Sequence, residues 1–348
     1  SIPFTLIAAL IVVPAFLGSR NTEYVYGASG FVEPGSQLYE DTELIEETFN
    51  ASGQCAVLVP EGQWGKEKEL VAALDTLPHV SSITSYVTTV SERIPTDMVP
   101  QISLESLISG GYSRIIIATD LRGESPEAFE LVQRIRDLCQ LYYPDEAKLV
   151  GSTVTSYDMS LIVNDDSARV LFASIIAIGL VLLLMFRSLS IPLILLLTIE
   201  SSIWINLAIP YFAGETIQYI GYLIISAIML GATVDYTIIL TRSYLDKRRE
   251  KPKRQAITEA ISRSAITILT SATILTLCGA FIGLISSNGV IASLGTLIGR
   301  GAFIAALNTF LLLPMLFMIF DHVIEKTTMG THFYKQPNKQ PLEEKAGR

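Results

Sequence analysis

Five long apolar segments constrain this chain more than any other feature. A helix needs about 20 predominantly apolar residues to cross the hydrocarbon core of a bilayer. Allowing for tilt, runs of that length lie at 169–186, 189–213, 217–241, 265–285 and 295–320. The composition agrees, because 50% of the 348 residues are hydrophobic and only 17% are charged. The sequence therefore predicts an integral membrane protein.

A sixth apolar run opens the chain at residues 1–18 and is a few residues too short to span. Because the chain begins at Ser1 with no initiator Met, we interpret this run as a first transmembrane helix whose start is truncated. A signal peptide has an apolar stretch of similar length and is the alternative, although no basic leader or small-residue cleavage site is visible. The expected membrane part is an all-α bundle of six transmembrane helices, formed by residues 1–18 and 169–325.

Basic residues set the expected orientation. The segment RSYLDKRREKPKRQ, which begins at Arg242, is rich in Lys and Arg, so we predict a basic cytoplasmic loop at 242–264. Its apolar side should lie along the membrane surface, where the basic side chains meet anionic membrane lipids. Counting spans from this loop places residues 19–168 outside the cytoplasmic membrane. The polar tail, 326–348, should be cytoplasmic and disordered.

The outer segment, 19–168, has an ordinary water-soluble composition. It holds 24 of the 34 acidic residues and 9 of the 25 basic residues, which argues against a nucleic-acid partner. Its strands and helices alternate, so the expected fold is an α+β sandwich of split βαβ, ferredoxin-like type. Strands are predicted at Gln54–Val59, Val80–Thr88, Ser113–Ala118 and Lys148–Gly151, and helices at Ser36–Phe49, Glu67–Leu77 and Pro126–Leu141.

Catalytic, metal and cofactor signals are weak in this segment. His79 has no second His nearby, and EGQWGKEK lacks the GxxxxGK[ST] spacing of a phosphate-binding loop. We therefore predict no cofactor and no metal. Cys55 and Cys139 could form a disulfide outside the membrane, but their spacing indicates neither a bridge nor a metal site, and we expect buried free thiols.

Asp235 is the strongest candidate for chemistry. A charged side chain in the middle of a membrane costs about 2.5–3.5 kcal/mol on insertion scales and usually marks an ion or substrate pathway. Asp235 lies within MLGATVDYTIIL and shares a helix face with Ala227 and Gly231, whose small size lets another helix approach. Tyr236 adds a hydroxyl. We expect a buried proton relay; the alternative is a permanently protonated Asp that hydrogen-bonds a neighbouring helix.

Glu200, in the span at 189–213, is a second relay candidate, although it could instead pair with Asn206, with Ser201 or with a neighbouring span. On the span at 265–285, Thr267 and Ser271 could solvate a relay carboxylate or could be ordinary helix contacts.

Two further features occur in the last span. Gly295 and Gly299 form a GxxxG face, which favours tight helix packing. Arg300 beside them could extend its charge to the interface or could neutralise an acidic residue.

These motifs resemble a known superfamily. GATVDY is similar to the proton-relay motif of the MMPL branch of the resistance-nodulation-division (RND) superfamily. One span, a large outer α+β domain and five spans ending in LIGRGAFIAALNTFLLLPMLFMIFD resemble its half-repeat over about residues 1–325. SATILTLCGAFIGLISS is most similar to the C-terminal half. The resemblance implies that 19–168 is a porter domain for hydrophobic or amphiphilic molecules, such as lipids and drugs. It also implies that Asp235 and Tyr236 couple proton movement to export.

The resemblance also implies a partner. Family members usually have two halves and twelve spans, so we expect a second RND half: the N-terminal half of the same polypeptide, a separate subunit or a second copy. The missing initiator Met favours a fragment.

Three other functions remain as alternatives. The protein could be a non-transporting lipid sensor or assembly scaffold, or an accessory motor for protein secretion. An intramembrane aspartyl protease is disfavoured, because Thr233 stands where a Gly would precede the catalytic Asp and the spans offer no second Asp at matching depth. We predict a secondary active transporter and not an enzyme.

Overall fold

The computed structural model describes residues 2–22, 24–27, 53–90, 105–121, 123–329 and 333–334, with scattered positions between 37 and 48. The chain divides into two compact units. We call residues 25–166 the α/β unit and residues 1–24 with 167–348 the helical unit. The helix predicted at Ser36–Phe49 and most of the tail 326–348 lie outside the described residues.

The described elements follow one another from the amino end to the carboxyl end of the chain. In order they are α1 (Ile2–Arg20), β1 (Tyr24–Val25), β2 (Gly53–Pro60), α2 (Trp64–Asp75), β3 (Val80–Thr84), α3 (Tyr86–Thr89), β4 (Ile108–Ser109), β5 (Tyr112–Thr119), α4 (Pro126–Tyr142), β6 (Lys148–Gly151), α5 (Ser152–Phe186), α6 (Ser190–Ala213), β7 (Ile217–Gln218), α7 (Tyr219–Arg248), α8 (Lys253–Ile285) and α9 (Gly289–Thr327).

The α/β unit contains an antiparallel sheet with the strand order β3-β5-β2-β6, and β4 also pairs with β5. Helix α2 connects β2 to β3, and helix α4 connects β5 to β6. This is the split βαβ arrangement that the sequence predicts. Gly110 and Gly111, with φ of 61° and 80°, join β4 to β5, because a two-residue hairpin turn favours positive φ at both positions.

Alternating residues of the central strands form the core of this unit. Val57 and Val59 of β2 and Ile115 and Ile117 of β5 are fully buried, and they pack with apolar residues of α2 and α4. Ser125 caps the amino end of helix α4, and its Oγ accepts a hydrogen bond from the Ala128 amide at 3.1 Å.

One predicted strand is shorter than expected. The strand predicted at Val80–Thr88 ends at Thr84, because Ser85 begins helix α3 with a reciprocal capping box. Ser85 Oγ accepts from the Thr88 amide, and Thr88 Oγ1 accepts from the Ser85 amide at 2.8 Å. The β-branched residues of this segment favour a strand, but the capping bonds favour the helix.

Cys55 and Cys139 are both buried and free. They lie in the core of the α/β unit, on β2 and α4. Burial raises the pKa of Cys55 to about 11 and that of Cys139 to about 12. Both side chains are therefore protonated thiols of low reactivity at neutral pH.

Among the described residues, five helices are long and apolar enough to cross a membrane: Ser152–Phe186, Ser190–Ala213, Gly221–Arg248, Lys253–Ile285 and Gly289–Thr327. The described apolar part of the first helix, Leu10–Arg20, is shorter. Helix α6 lies inside the helical unit, where it packs against α1, α7 and α9. Helix α8 packs against α7 and α9. The protein is a multi-pass membrane protein with a helical bundle.

The prediction of a long basic loop at 242–264 is wrong. Helix α7 continues to Arg248 and α8 begins at Lys253, so the two helices are separated by residues 249–252 alone. Of the apolar residues expected to face the membrane surface, Ile257 and Ala260 are buried in the bundle core, as is Ala256, and Leu245 and Ile261 pack against that core. Packing of these side chains against the neighbouring helices extends α8 by about three turns beyond the apolar run.

Helices α8 and α9 approach each other at their glycines. A Cβ atom added at Gly279 would lie 2.5 Å from the Gly299 nitrogen, and one at Gly295 would lie 2.7 Å from the Gly283 nitrogen. Only glycine fits at such a contact, so the tight packing predicted from the GxxxG face is confirmed.

Candidate functional site

Asp235 lies near the middle of the apolar helix Gly221–Arg248. Its side chain is exposed, as are Ala227 and Gly231 on the same face of α7. A Cβ atom added at Gly231 would meet nothing within 4 Å. Among the described residues, no hydrogen bond or ion pair involves the Asp235 carboxylate. The described part of the chain therefore leaves this face of α7 open.

The sequence predicts a buried Asp235, and the described helices of this chain leave its side chain exposed. The next residue, Tyr236, is 3% exposed and lies in the bundle core. Successive side chains on a helix point about 100° apart, so α7 cannot bury both residues against the same neighbours. Apolar packing of Leu240 and Tyr244 together with Tyr236 decides which face turns inward. Asp235 consequently lies on the outward face.

Glu200 has the opposite placement. It lies on α6 inside the helical unit and is 8% exposed, and its Oε1 atom has no hydrogen-bond partner within the described residues. The pairing with Ser201 proposed as an alternative is not observed, because Ser201 Oγ donates to the Thr198 carbonyl at 2.8 Å. Asn206 also has other partners. Glu200 is thus a buried carboxyl group on a different helix from Asp235.

The other predicted site residues do not gather around Asp235. Thr267 and Ser271 are exposed on α8. Within the described part of the chain, no hydrogen bond connects either side chain to Asp235 or Glu200. The structure therefore places Asp235, Ala227 and Gly231 on one face, Tyr236 and Glu200 in the interior, and Thr267 and Ser271 on another helix.

Sequence reasoning missed a polar ladder between α6 and α9. Arg300 Nε donates to Asn206 Oδ1 at 2.8 Å, and Arg300 Nη2 donates to the Asn206 carbonyl at 3.0 Å. Further along the same helix pair, Asn308 Nδ2 donates to Ser202 Oγ at 3.0 Å. The available signal was the helical spacing, since Ser202 and Asn206, four residues apart, share one face of α6. Within the described residues Arg300 forms no ion pair with a carboxylate, and it joins α9 to α6 through its hydrogen bonds to Asn206.

A second missed cluster joins α7 to α9 at what we call the basic end of the helical unit, where residues 249–252 connect α7 to α8. Arg248 binds Asp321 with two bonds, Nε to Oδ1 and Nη2 to Oδ2, each 3.0 Å long. The Tyr244 hydroxyl also donates to Asp321 Oδ1, at 2.5 Å, and the Arg248 guanidinium lies 4.8 Å from the centre of the Phe333 ring. This bidentate pair fixes the two helix ends relative to each other.

Chemically, the open face of α7 offers a single titratable carboxyl group within an apolar span. Such a group can accept a proton and become neutral, and it can release the proton to a neighbouring acceptor or to water. The two small residues beside it leave space for the backbone of another helix.

Comparison with known proteins assigns the chain to a family. The family model described as MMPL family matches residues 31–336. Over 178 residues, half of this chain, it is 28% identical to "Probable transport protein MmpL8" of Mycobacterium bovis and 27% identical to "Sulfolipid-1 exporter MmpL8" of Mycobacterium tuberculosis. Each match covers 16% of the relative. "Putative membrane protein ActII-3" of Streptomyces coelicolor is 24% identical over 177 residues, 49% of this chain and 25% of that protein.

A solved structure shares the fold. The crystal structure of a heavy metal efflux pump aligns with a TM-score of 0.57 at 12% identity, and the alignment covers 91% of this chain. This chain spans about half of that pump, because the alignment covers 48% of it. The match to the family model over most of the chain leads to one conclusion: the chain belongs to the MMPL family.

Proposed function

We propose that this chain is one half of an exporter that uses the proton-motive force to move hydrophobic or amphiphilic molecules, such as lipids and drugs, across the cytoplasmic membrane. The observation that carries the proposal is the position of Asp235: a carboxyl group in the middle of an apolar span, on a face that the described helices leave open. The α/β unit is the porter domain outside the membrane. Sulfolipid-1, named for one relative, exemplifies the cargo class.

The open face is where a second half packs. A carboxylate facing lipid would cost about 2.5–3.5 kcal/mol on insertion scales, so a protein surface that supplies hydrogen bonds is the more favourable neighbour. Ala227 and Gly231 allow a close approach, and Ile224 and Ile228 add apolar contact area on the same side of α7. The second half is the N-terminal half of the same polypeptide, a separate subunit or a second copy of this chain.

The proton relay works through charge neutralisation. When Asp235 binds a proton, its desolvation cost falls and α7 can repack against the second half. Tyr236, on the inward side of α7, carries this movement into the bundle core. Glu200, whose Oε1 has no described partner, is a second group that can hold a proton inside the helical unit.

The energy available is sufficient for transport. Moving one charge through 100 mV supplies about 2.3 kcal/mol. One proton per cycle therefore supports a cargo gradient of about 50-fold, since each 1.4 kcal/mol corresponds to a factor of ten.

The test is Asp235→Asn, which keeps the size of the side chain and removes its titration. We expect export driven by a proton gradient to fall at least 100-fold, while insertion and folding stay normal. Proteoliposomes with an imposed pH gradient and a fluorescent lipid or amphiphile measure the rate. The preparation must contain both halves.

The matched control is Asp246→Asn, because Asp246 is an exposed Asp on the same helix, close to its basic end. Export should be retained in this variant. Equal export by the Asp235→Asn variant and the unchanged protein would contradict the relay. An export rate that does not depend on the pH gradient, in the unchanged protein and in both variants, would contradict the proton-driven mechanism.

A further inference from the structure

A groove with a volume of about 750 Å³ lies in the helical unit between α1, α6, α8 and α9. Its walls are mainly apolar and include Ile11, Ile205, Leu311, Met315 and Ile319. The volume lies within the range of about 300–1,000 Å³ that is usual for small-molecule sites. The groove is therefore large enough for a lipid chain.

Two basic side chains stand at one end of this groove. Lys253 and Arg254, the first residues of α8, line it and are exposed. Among the described residues, no carboxylate pairs with either of them, whereas the neighbouring Lys247 and Lys251 both pair with Glu259. Lys253 Nζ lies 3.5 Å from the Met318 carbonyl, which holds it beside the groove. The basic end thus presents two positive charges that form no ion pair with a carboxylate of the described residues.

The length of the groove matches one membrane leaflet. On α9 its lining runs from Asn308 to Ile319, which is about 17 Å at 1.5 Å per residue. Half of a hydrocarbon core about 30 Å thick is about 15 Å. Asn308 is held by its hydrogen bond to Ser202, so the far end of the groove is near the middle of the span. The basic end faces the cytoplasm by the charge rule.

We propose that this groove binds an anionic glycerophospholipid of the cytoplasmic leaflet, with an acyl chain along its apolar walls and the phosphate between Lys253 and Arg254. Apolar walls, leaflet length and two cations that form no ion pair with a described carboxylate together select this ligand over a neutral lipid. The site lies away from the open face of α7 and does not depend on the proposed transport.

The test compares lipid retention in the full chain purified in a mild detergent. Native mass spectrometry after exchange with equal amounts of phosphatidylglycerol and phosphatidylcholine gives the ratio of the two retained lipids. We expect the unchanged protein to prefer phosphatidylglycerol. Lys253→Gln with Arg254→Gln should reduce this preference about 10- to 30-fold, as expected for the loss of two membrane-surface cations.

Three further variants separate the groove from general surface charge. Arg249→Gln with Arg263→Gln removes the same charge from exposed positions outside the groove lining and should leave the preference unchanged. Lys253→Arg keeps the positive charge and should also keep the preference for phosphatidylglycerol. Met315→Trp fills the groove without changing its charge and should reduce retention of phosphatidylglycerol at least 5-fold.

Three outcomes of these lipid-retention measurements would contradict a lipid site in the groove. Equal losses in the two double variants, or unaltered retention in the Met315→Trp variant, would overturn the proposal. Equal retention of the two lipids by the unchanged protein would overturn it as well. A cooperative thermal transition in each variant confirms that it is folded.

Discussion

Glu67 has the most unfavourable environment of any carboxyl group described in the α/β unit. It lies on the inner side of α2 and is 1% exposed. Burial raises its pKa, and Ser113, the Val87 amide and Ser85, which lie around the carboxyl group, oppose only part of this rise. Because the folded form has the higher pKa, protonation favours folding. The contribution of Glu67 to stability is therefore most favourable at acidic pH and declines as the pH rises from the ordinary Glu value through the raised pKa.

Glu67→Gln should remove this dependence on pH. We expect the α/β unit to become more stable at pH 7, because Gln keeps the size of the side chain and removes the buried charge, and to change little at pH 4.5, where Glu67 is largely protonated in the folded protein. Hydrogen exchange of the β2 and β5 amides in the full chain, corrected for intrinsic rates, measures this free energy. Glu69→Gln, on the exposed side of the same helix, serves as the control and should not alter the pH dependence. An unchanged pH slope in the Glu67→Gln variant would refute this account.

At the scale of elements, the two groups of membrane glycines have different roles. Gly279 lies against the backbone of Gly299, so α8 and α9 are in direct contact. Gly231 on α7 has open space around it. Gly279 therefore allows a close contact between two helices of this chain, whereas Gly231 lies on a surface of α7 that the described helices leave free.

Adding a methyl group at each position distinguishes these roles. Gly279→Ala should destabilise the helical unit by about 1–3 kcal/mol, because the new Cβ cannot fit without separating the helices. Gly231→Ala should not destabilise the helical unit, because the added Cβ atom would have no neighbour within 4 Å and alanine favours a helix more than glycine does. Thermal unfolding in detergent compares the two variants directly. Equal melting temperatures would show that α8 and α9 are not in close contact.

At the scale of the whole molecule, the open face of α7 predicts an interface. A large side chain at Gly231 should leave the helical unit intact but prevent the second half from packing. Gly231→Leu should therefore reduce export at least 10-fold without lowering the melting temperature of this chain. Proteoliposome export and thermal unfolding, measured on the same preparation, test both statements.

The control for this variant is Ala173→Leu, which adds similar bulk at an exposed position of α5. It should retain export. Export by the Gly231→Leu variant at the unchanged rate would show that no helix approaches Gly231.

Contacts between residues that are far apart in the sequence could not be predicted from the sequence alone. The spans, the split βαβ arrangement and the glycine contact could be predicted, because each depends on local periodicity or on small residues within one helix face. The pairs Arg300 with Asn206 and Arg248 with Asp321 could not, because each joins residues more than 70 positions apart. Nor could the true bounds of α7 and α8, since burial of Ala256 and Ala260 against other helices overrides the polar composition around them.

The sequence by itself determined that this chain crosses a membrane, because apolar length is a property of each segment and needs no partner. It also determined that Asp235, Ala227 and Gly231 share a face, because helical spacing fixes relative direction. Only the tertiary structure decided which way that face turns. Tyr236 and its apolar neighbours gain more from burial than the Asp235 carboxylate, which loses hydration when it is enclosed, so Asp235 lies on the side that the described helices leave open.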